Sequence, residues 1–145
     1  DGEVIETSFG FIQQVVEIWE REKGPEFFWS IEDQYLFDQL YRNRGWNYRP
    51  ALPDERDIPQ DAAVAAAMEA VAQMYNLSPR LLEEEYLLST QFCYMDARDP
   101  SSKIWRIAFR ELDPATQTYA LLYAVDISAA DGTIVDMNDN TSGQG

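Results

Sequence analysis

Two stretches of strict alternation constrain this chain more than anything else in it. Residues 103–111, KIWRIAFRE, place Trp105, Ile107 and Phe109 on one side and Arg106, Ala108 and Arg110 on the other. Residues 118–127, TYALLYAVDI, repeat the pattern and put Tyr119, Leu121, Tyr123, Val125 and Ile127 together. Between them DPATQ, 113–117, has turn composition, so the two stretches read as neighbouring antiparallel strands. Asp131-Gly132 reads as the next turn, with a last strand over Thr133–Met137. Upstream, LLSTQFCYM at 87–95 reads as a further strand. A sheet with one apolar side must cover that side, and the rest of the chain supplies the cover.

Before residue 86 the apolar period is helical. Phe11, Ile12, Val15, Val16 and Trp19 mark a helix over 9–23 that Gly24-Pro25 ends. Ser30-Ile31-Glu32-Asp33 has the form of a capping box opening a second helix through Tyr35, Leu36 and Leu40, with Gly45 as its stop. NYRPALPDERD, 47–57, reads as a linker, which sets a boundary near residue 54. Beyond it Asp57 and Gln60 are candidate caps for a long helix with Pro59 in its first turn. Within AAVAAAMEAVAQMY, 62–75, Val64, Met68, Val71 and Tyr75 share a face, and the alanines allow close approach to a sheet. Ser78-Pro79 opens a short helix. The predicted class is α+β: an N-terminal helix pair, then a long helix on a three- to four-stranded antiparallel sheet.

At 145 residues the chain has the length of one domain, long enough to bury roughly 70% of its unfolded surface. No apolar run approaches the roughly 18 residues of a membrane span. The absence of an initiator Met and of a signal-peptide pattern reads as a mature form or an excised piece. The net charge of −15 repels nucleic acid and anionic lipid, so neither is an expected partner and no membrane insertion is expected. There are no histidines, which removes the Ser-His and Cys-His arrangements and the commonest metal ligand. The one cysteine, Cys93, lies in a strand pattern and reads as a small buried hydrophobe.

The residues of the sheet resemble the PepSY domain family. Trp105-x-Ile107-x-Phe109, then Tyr123-x-Val125-x-Ile127-x-Ala129-x-Asp131-Gly132-x-Ile134, is similar to that family's aromatic-led strand and acid-Ala-x-x-Gly turn. The helix in DIPQDAAVAAAMEAVAQMYNLSPRLLEEE fits its alanine-rich helix, and the resemblance covers about residues 57–137. Ser128 stands where the family usually has Asp, and Pro59 where a capping Ser or Thr is usual. The resemblance implies a bacterial, extracytoplasmic module (secreted, lipoprotein or wall-associated). Because PepSY domains occur in propeptides of metallopeptidases, it also implies a role in restraining or assisting peptidases.

The opening DGEVIE matches DGTIVD at 131–136. This suggests tandem units in a parent protein, with residues 1–8 the last strand of a preceding unit. Residues 9–53 would then be a helical connecting segment, 54–140 the PepSY-like module and 141–145 a flexible tail. As candidate binding residues, Arg42, Arg44, Trp46, Tyr48 and Arg49 interleave cations with aromatics; ion pairing and stacking are the plainer use of the same residues. FFW at 27–29 reads as a packing plug or a binding platform. Glu83-Glu84-Glu85 reads as a solvated face. DMNDNTSG, 136–143, lacks the glycine and the twelfth ligand of an EF-hand loop, and reads as a polar terminus. No catalytic residue, metal or cofactor is assigned. A non-enzymatic interaction module is the first reading, a structural spacer repeat the alternative, and a hydrolase built on carboxylates alone the third.

Overall fold

A computed structural model describes residues 2–42, 50–96, 98–99 and 101–140, with side chains described from residue 13 onward except at 41 and 42. The elements in order are α1 (Gly2–Lys23), a 3₁₀ turn (Glu26–Phe28), α2 (Ile31–Phe37) running into a π-helical turn (Asp38–Arg42), α3 (Gln60–Tyr75), α4 (Pro79–Glu85), and strands β1 (Leu87–Tyr94), β2 (Lys103–Asp113), β3 (Thr118–Ser128) and β4 (Ile134–Asp139). The strands form one antiparallel sheet in the order β1-β2-β3-β4. The fold is α+β, with α3 on one face of the sheet. Among the described residues no helix is long and apolar enough to cross a membrane.

Residues 3–6, expected as a strand left from a preceding repeat, instead lie in α1. The apolar positions 5, 9, 12, 16 and 19 continue one helical period into the 9–23 segment. Extending a formed helix adds one hydrogen bond per residue, whereas a strand needs a partner edge. Gly24, at φ +85°, ends α1 by donating its N–H to the carbonyl of Glu20. Ser30 caps α2: its hydroxyl accepts from the N–H of Asp33.

The start of α3 differs from expectation. Pro59 is its N-cap and no side chain caps it. Asp57 turns away to Lys103, 2.7 Å distant, and accepts from the N–H of Asp54. The buried side of α3 is Ala63, Ala67, Val71 and Ala72, a step round from the predicted Val64–Met68 face. Ala63 and Ala67 have no exposed surface, so the helix axis sits close to Trp105, Ile107, Phe109, Val125 and Ile127, which form the dry core. Val64 and Met68 flank the contact, half-buried.

The 50–58 stretch is docked rather than free. Pro50 bridges Cys93, Ala51 donates to the carbonyl of Phe92 at 2.9 Å, and Ile58 donates to the carbonyl of Ala129. Gln34 of α2 donates to the carbonyls of Thr90 and Trp29. The β1 edge is thereby covered, and Ile31 and Ala51 belong to the same core as α3. At the other edge β4 is short and bulged, and carries Asp136 and Asp139. Those are the usual defences against edge pairing.

Candidate functional site

The two sides of the sheet diverge because of a bulge. Phe109 pairs with Tyr123, but Arg110 pairs with Leu121, so Leu122 is an extra residue in β3. Side chains alternate along a strand, and one extra residue reverses the alternation beyond it. Tyr123, Val125 and Ile127 therefore face α3, while Tyr119 and Leu121 face away. This corrects the expectation of five residues on one face. Leu122 takes the inward position and packs against the core, and its carbonyl accepts from the N–H of Asn140.

The outward turn brings Tyr119 to the 3₁₀ turn. Its ring lies 5.1 Å from Phe28 and 5.9 Å from Phe27, edge-on to both. Trp29, next in sequence, is buried against Trp19 and Phe37 at 5.2 and 5.3 Å and donates its indole N–H to the carbonyl of Gly24. Of the FFW triplet, Trp29 is the plug and the two phenylalanines are half-exposed.

Arg110 occupies the centre of this corner. Its guanidinium carbon lies 3.8 Å from the centroid of the Phe27 ring, and its Nε donates to the buried hydroxyl of Ser89 at 3.1 Å. Burial pulls the guanidinium below its ordinary pKa, and it stays charged. Among the described residues no carboxylate lies within 4.0 Å of it, and its terminal nitrogens hold no hydrogen bond. Leu87, directly across from Arg110 on β1, is 43% exposed, and Leu112, two residues on along β2, is 38% exposed.

Among the described residues the other partly buried cations are paired. Arg106, on the same outer face, grips buried Asp126 through two bonds of 2.7 and 2.8 Å. Lys103 meets Asp57 and Asp54; burial pulls its pKa down, but the hydrogen bonds and charge of the two aspartates outweigh that and raise it.

Of the residues singled out in sequence, Arg44, Trp46, Tyr48 and Arg49 lie outside the described residues. Arg42 ends the π-helical turn, and its side chain lies outside them too. The 141–145 tail also lies outside, while Asp136 and Asn138 are in β4. Glu83, Glu84 and Glu85 are exposed on α4, with Glu84 bonded to Arg80. Asp131-Gly132 forms the expected turn: Asp131 accepts from the N–H and hydroxyl of Thr133, and Gly132 has φ +78°. Those bonds hold the Asp131 carboxyl below its usual range, as Ser101 does for Asp99 and Arg98 for Asp96. Cys93 is buried, and burial pushes its thiol up to about 11. Among the described residues no three His, Cys, Asp or Glu side chains gather as a metal-ligand set.

The Arg110 corner was missed in sequence because Arg110 reads there as one polar position of an alternating strand. The one signal available was FFW, which proposed a platform without its partner. Comparison with family models, with curated proteins and with solved structures found no match.

Proposed function

We propose that this chain is a protein-recognition module that works through the outer corner formed by Phe27, Phe28, Leu87, Arg110, Leu112 and Tyr119. One observation carries the reading: a half-buried arginine with no carboxylate partner among the described residues, in a chain of net charge −15, set among half-exposed aromatic and aliphatic side chains. Arginine and aromatic residues at the centre of an apolar patch are the composition of binding hot spots. The well-guarded β4 edge favours this corner over strand addition as the contact.

The resemblance to PepSY domains supports an extracytoplasmic setting and a peptidase as partner, restrained or assisted rather than imitated. The test is capture from the secreted and envelope fraction of the source organism on immobilised chain, beside a Phe27→Ala, Tyr119→Ala double variant of unchanged circular dichroism. A peptidase retained by the parent and lost by the variant supports the proposal. Equal retention by both overturns this corner as the contact. An empty lane at low salt overturns recognition and leaves a spacer that holds another domain at a distance.

A further inference from the structure

We infer that the Arg110 corner receives the α-carboxylate of a peptide that ends in an apolar residue; the inference rests on the corner being a recognition site. Arg106 and Arg110 lie on the same face of one strand, yet only Arg106 has an acid. Asp126 takes the Nε and one terminal nitrogen of Arg106, whereas among the described residues nothing bonds the terminal nitrogens of Arg110. Phe27 fixes the plane of its guanidinium and Ser89 fixes its Nε. The edge that remains is the one bearing the two terminal nitrogens, whose fork matches the two oxygens of a carboxylate. Holding a long side chain in one geometry ordinarily costs rotamer entropy on binding. Here ring and hydroxyl have already imposed that geometry.

The surroundings choose among carboxylates. Leu87, across from Arg110 on β1, and Leu112, two residues along β2, add exposed hydrocarbon to the same face. A chain terminus carries its carboxylate and its last side chain on a single Cα, so both can be met within this one corner. The net charge of −15 opposes a run of acids, which would add a repelling charge for each residue, and tolerates one charge on an otherwise neutral segment. A terminus with an apolar last residue satisfies both conditions.

The probe is N-acetyl-leucinate, titrated into the full chain while the Arg110 Nε–H and the Leu87 and Ser89 amides are followed by NMR. N-acetyl-leucinamide serves as the uncharged control, and N-acetyl-glutamate N-methylamide as the internal-acid control. The expected result is a saturable shift with a Kd in the millimolar range for the leucinate. Binding to either control is expected to be at least tenfold weaker, and the amide shifts should be lost in Arg110→Met. Arg110→Lys, which keeps the charge without the fork, should weaken binding at least tenfold. No saturable shift, or equal affinity for the amide, overturns the inference. Equal affinity for the glutamate compound overturns the terminus and leaves a general carboxylate site. A captured partner lost in the Phe27→Ala, Tyr119→Ala variant while the leucinate fails would sink this inference and spare the recognition reading. A leucinate shift with an empty capture lane would do the reverse.

Discussion

The face of the sheet under α3 and the face turned away from it are made from the same strands by different chemistry. Under α3 the contact is hydrocarbon on hydrocarbon: Ala63 and Ala67 against Trp105, Ile107 and Val125, all without exposed surface. The indole N–H of Trp105 finds the carbonyl of Ile58, so even its polar atom is satisfied. The outer face buries polar groups instead, among them Ser89, Asp126 and part of Arg106, and holds them by pairing. The first face derives stability from area and packing. The second derives its order from specific bonds, and at Arg110 it leaves one set of bonds open. A sheet can therefore be close-packed on one side and hold a cation with donors to spare on the other.

Four changes test that contrast. Trp105→Ala should be the most damaging, costing about 3–5 kcal/mol because α3 cannot collapse into the space left by the ring. Chemical denaturation measures it, and a cost below about 1 kcal/mol would mean that the α3 face is not the main source of stability. Asp126→Ala should cost about 3 kcal/mol by leaving Arg106 half-buried without its acid. The Asp126→Ala, Arg106→Met pair should recover most of that loss, and failure to recover would show that the outer face depends on more than this bond.

The third test is pH. The Cys93 thiol is raised to about 11 by burial, so the folded chain keeps its proton where the unfolded chain has lost it. The Cys93 contribution should then be flat below pH 9 and be lost as pH rises from 9 toward 11. Cys93→Ala should remove that part of the slope, and an unchanged slope would place it on other groups. A thiol reagent at pH 8 should react with the native chain only as fast as the chain opens. The smallest expected effect is Arg110→Met, about 1 kcal/mol, because it strands the buried Ser89 hydroxyl but no acid. A loss above about 2 kcal/mol would make Arg110 structural and remove the contrast with Arg106.

Much of this architecture was legible in sequence. Alternation at 103–111 and 118–127, the capping serines at 30 and 78, the Gly24 stop and the Asp131-Gly132 turn are local signals, set by backbone geometry within a few residues. What escaped was set by tertiary partners. The buried side of α3 follows alanine rather than Val64 and Met68, since distance to the sheet and not hydrophobicity alone decides which side turns inward. The docking of Pro50 and Ala51 along β1 could not be read from a stretch rich in proline and charge. Residues 3–6 shared a motif with 133–136 but not its partner strand, and became helix. The Arg110 corner joins residues far apart in the chain, and nothing near Arg110 in sequence names Phe27.

Leu122 is a phase slip. Below it the strand writes to one reader, α3; above it the same alternation writes to another, the 3₁₀ turn that carries Phe27 and Phe28. Lengthening the 114–117 hairpin would only move its tip. Deleting Leu122 would close the bulge and leave Tyr119, then three residues from Tyr123, still facing outward toward Phe28; only the inward contact of Leu122 and its bond from Asn140 would go. The aromatic half of the corner thus depends on the phase of β3 beyond the slip, and not on the side chain that marks it. Retained Tyr119 ring contacts in the NMR spectrum of the deletion variant, with the Trp105 core intact, are the signature that such an edit would leave.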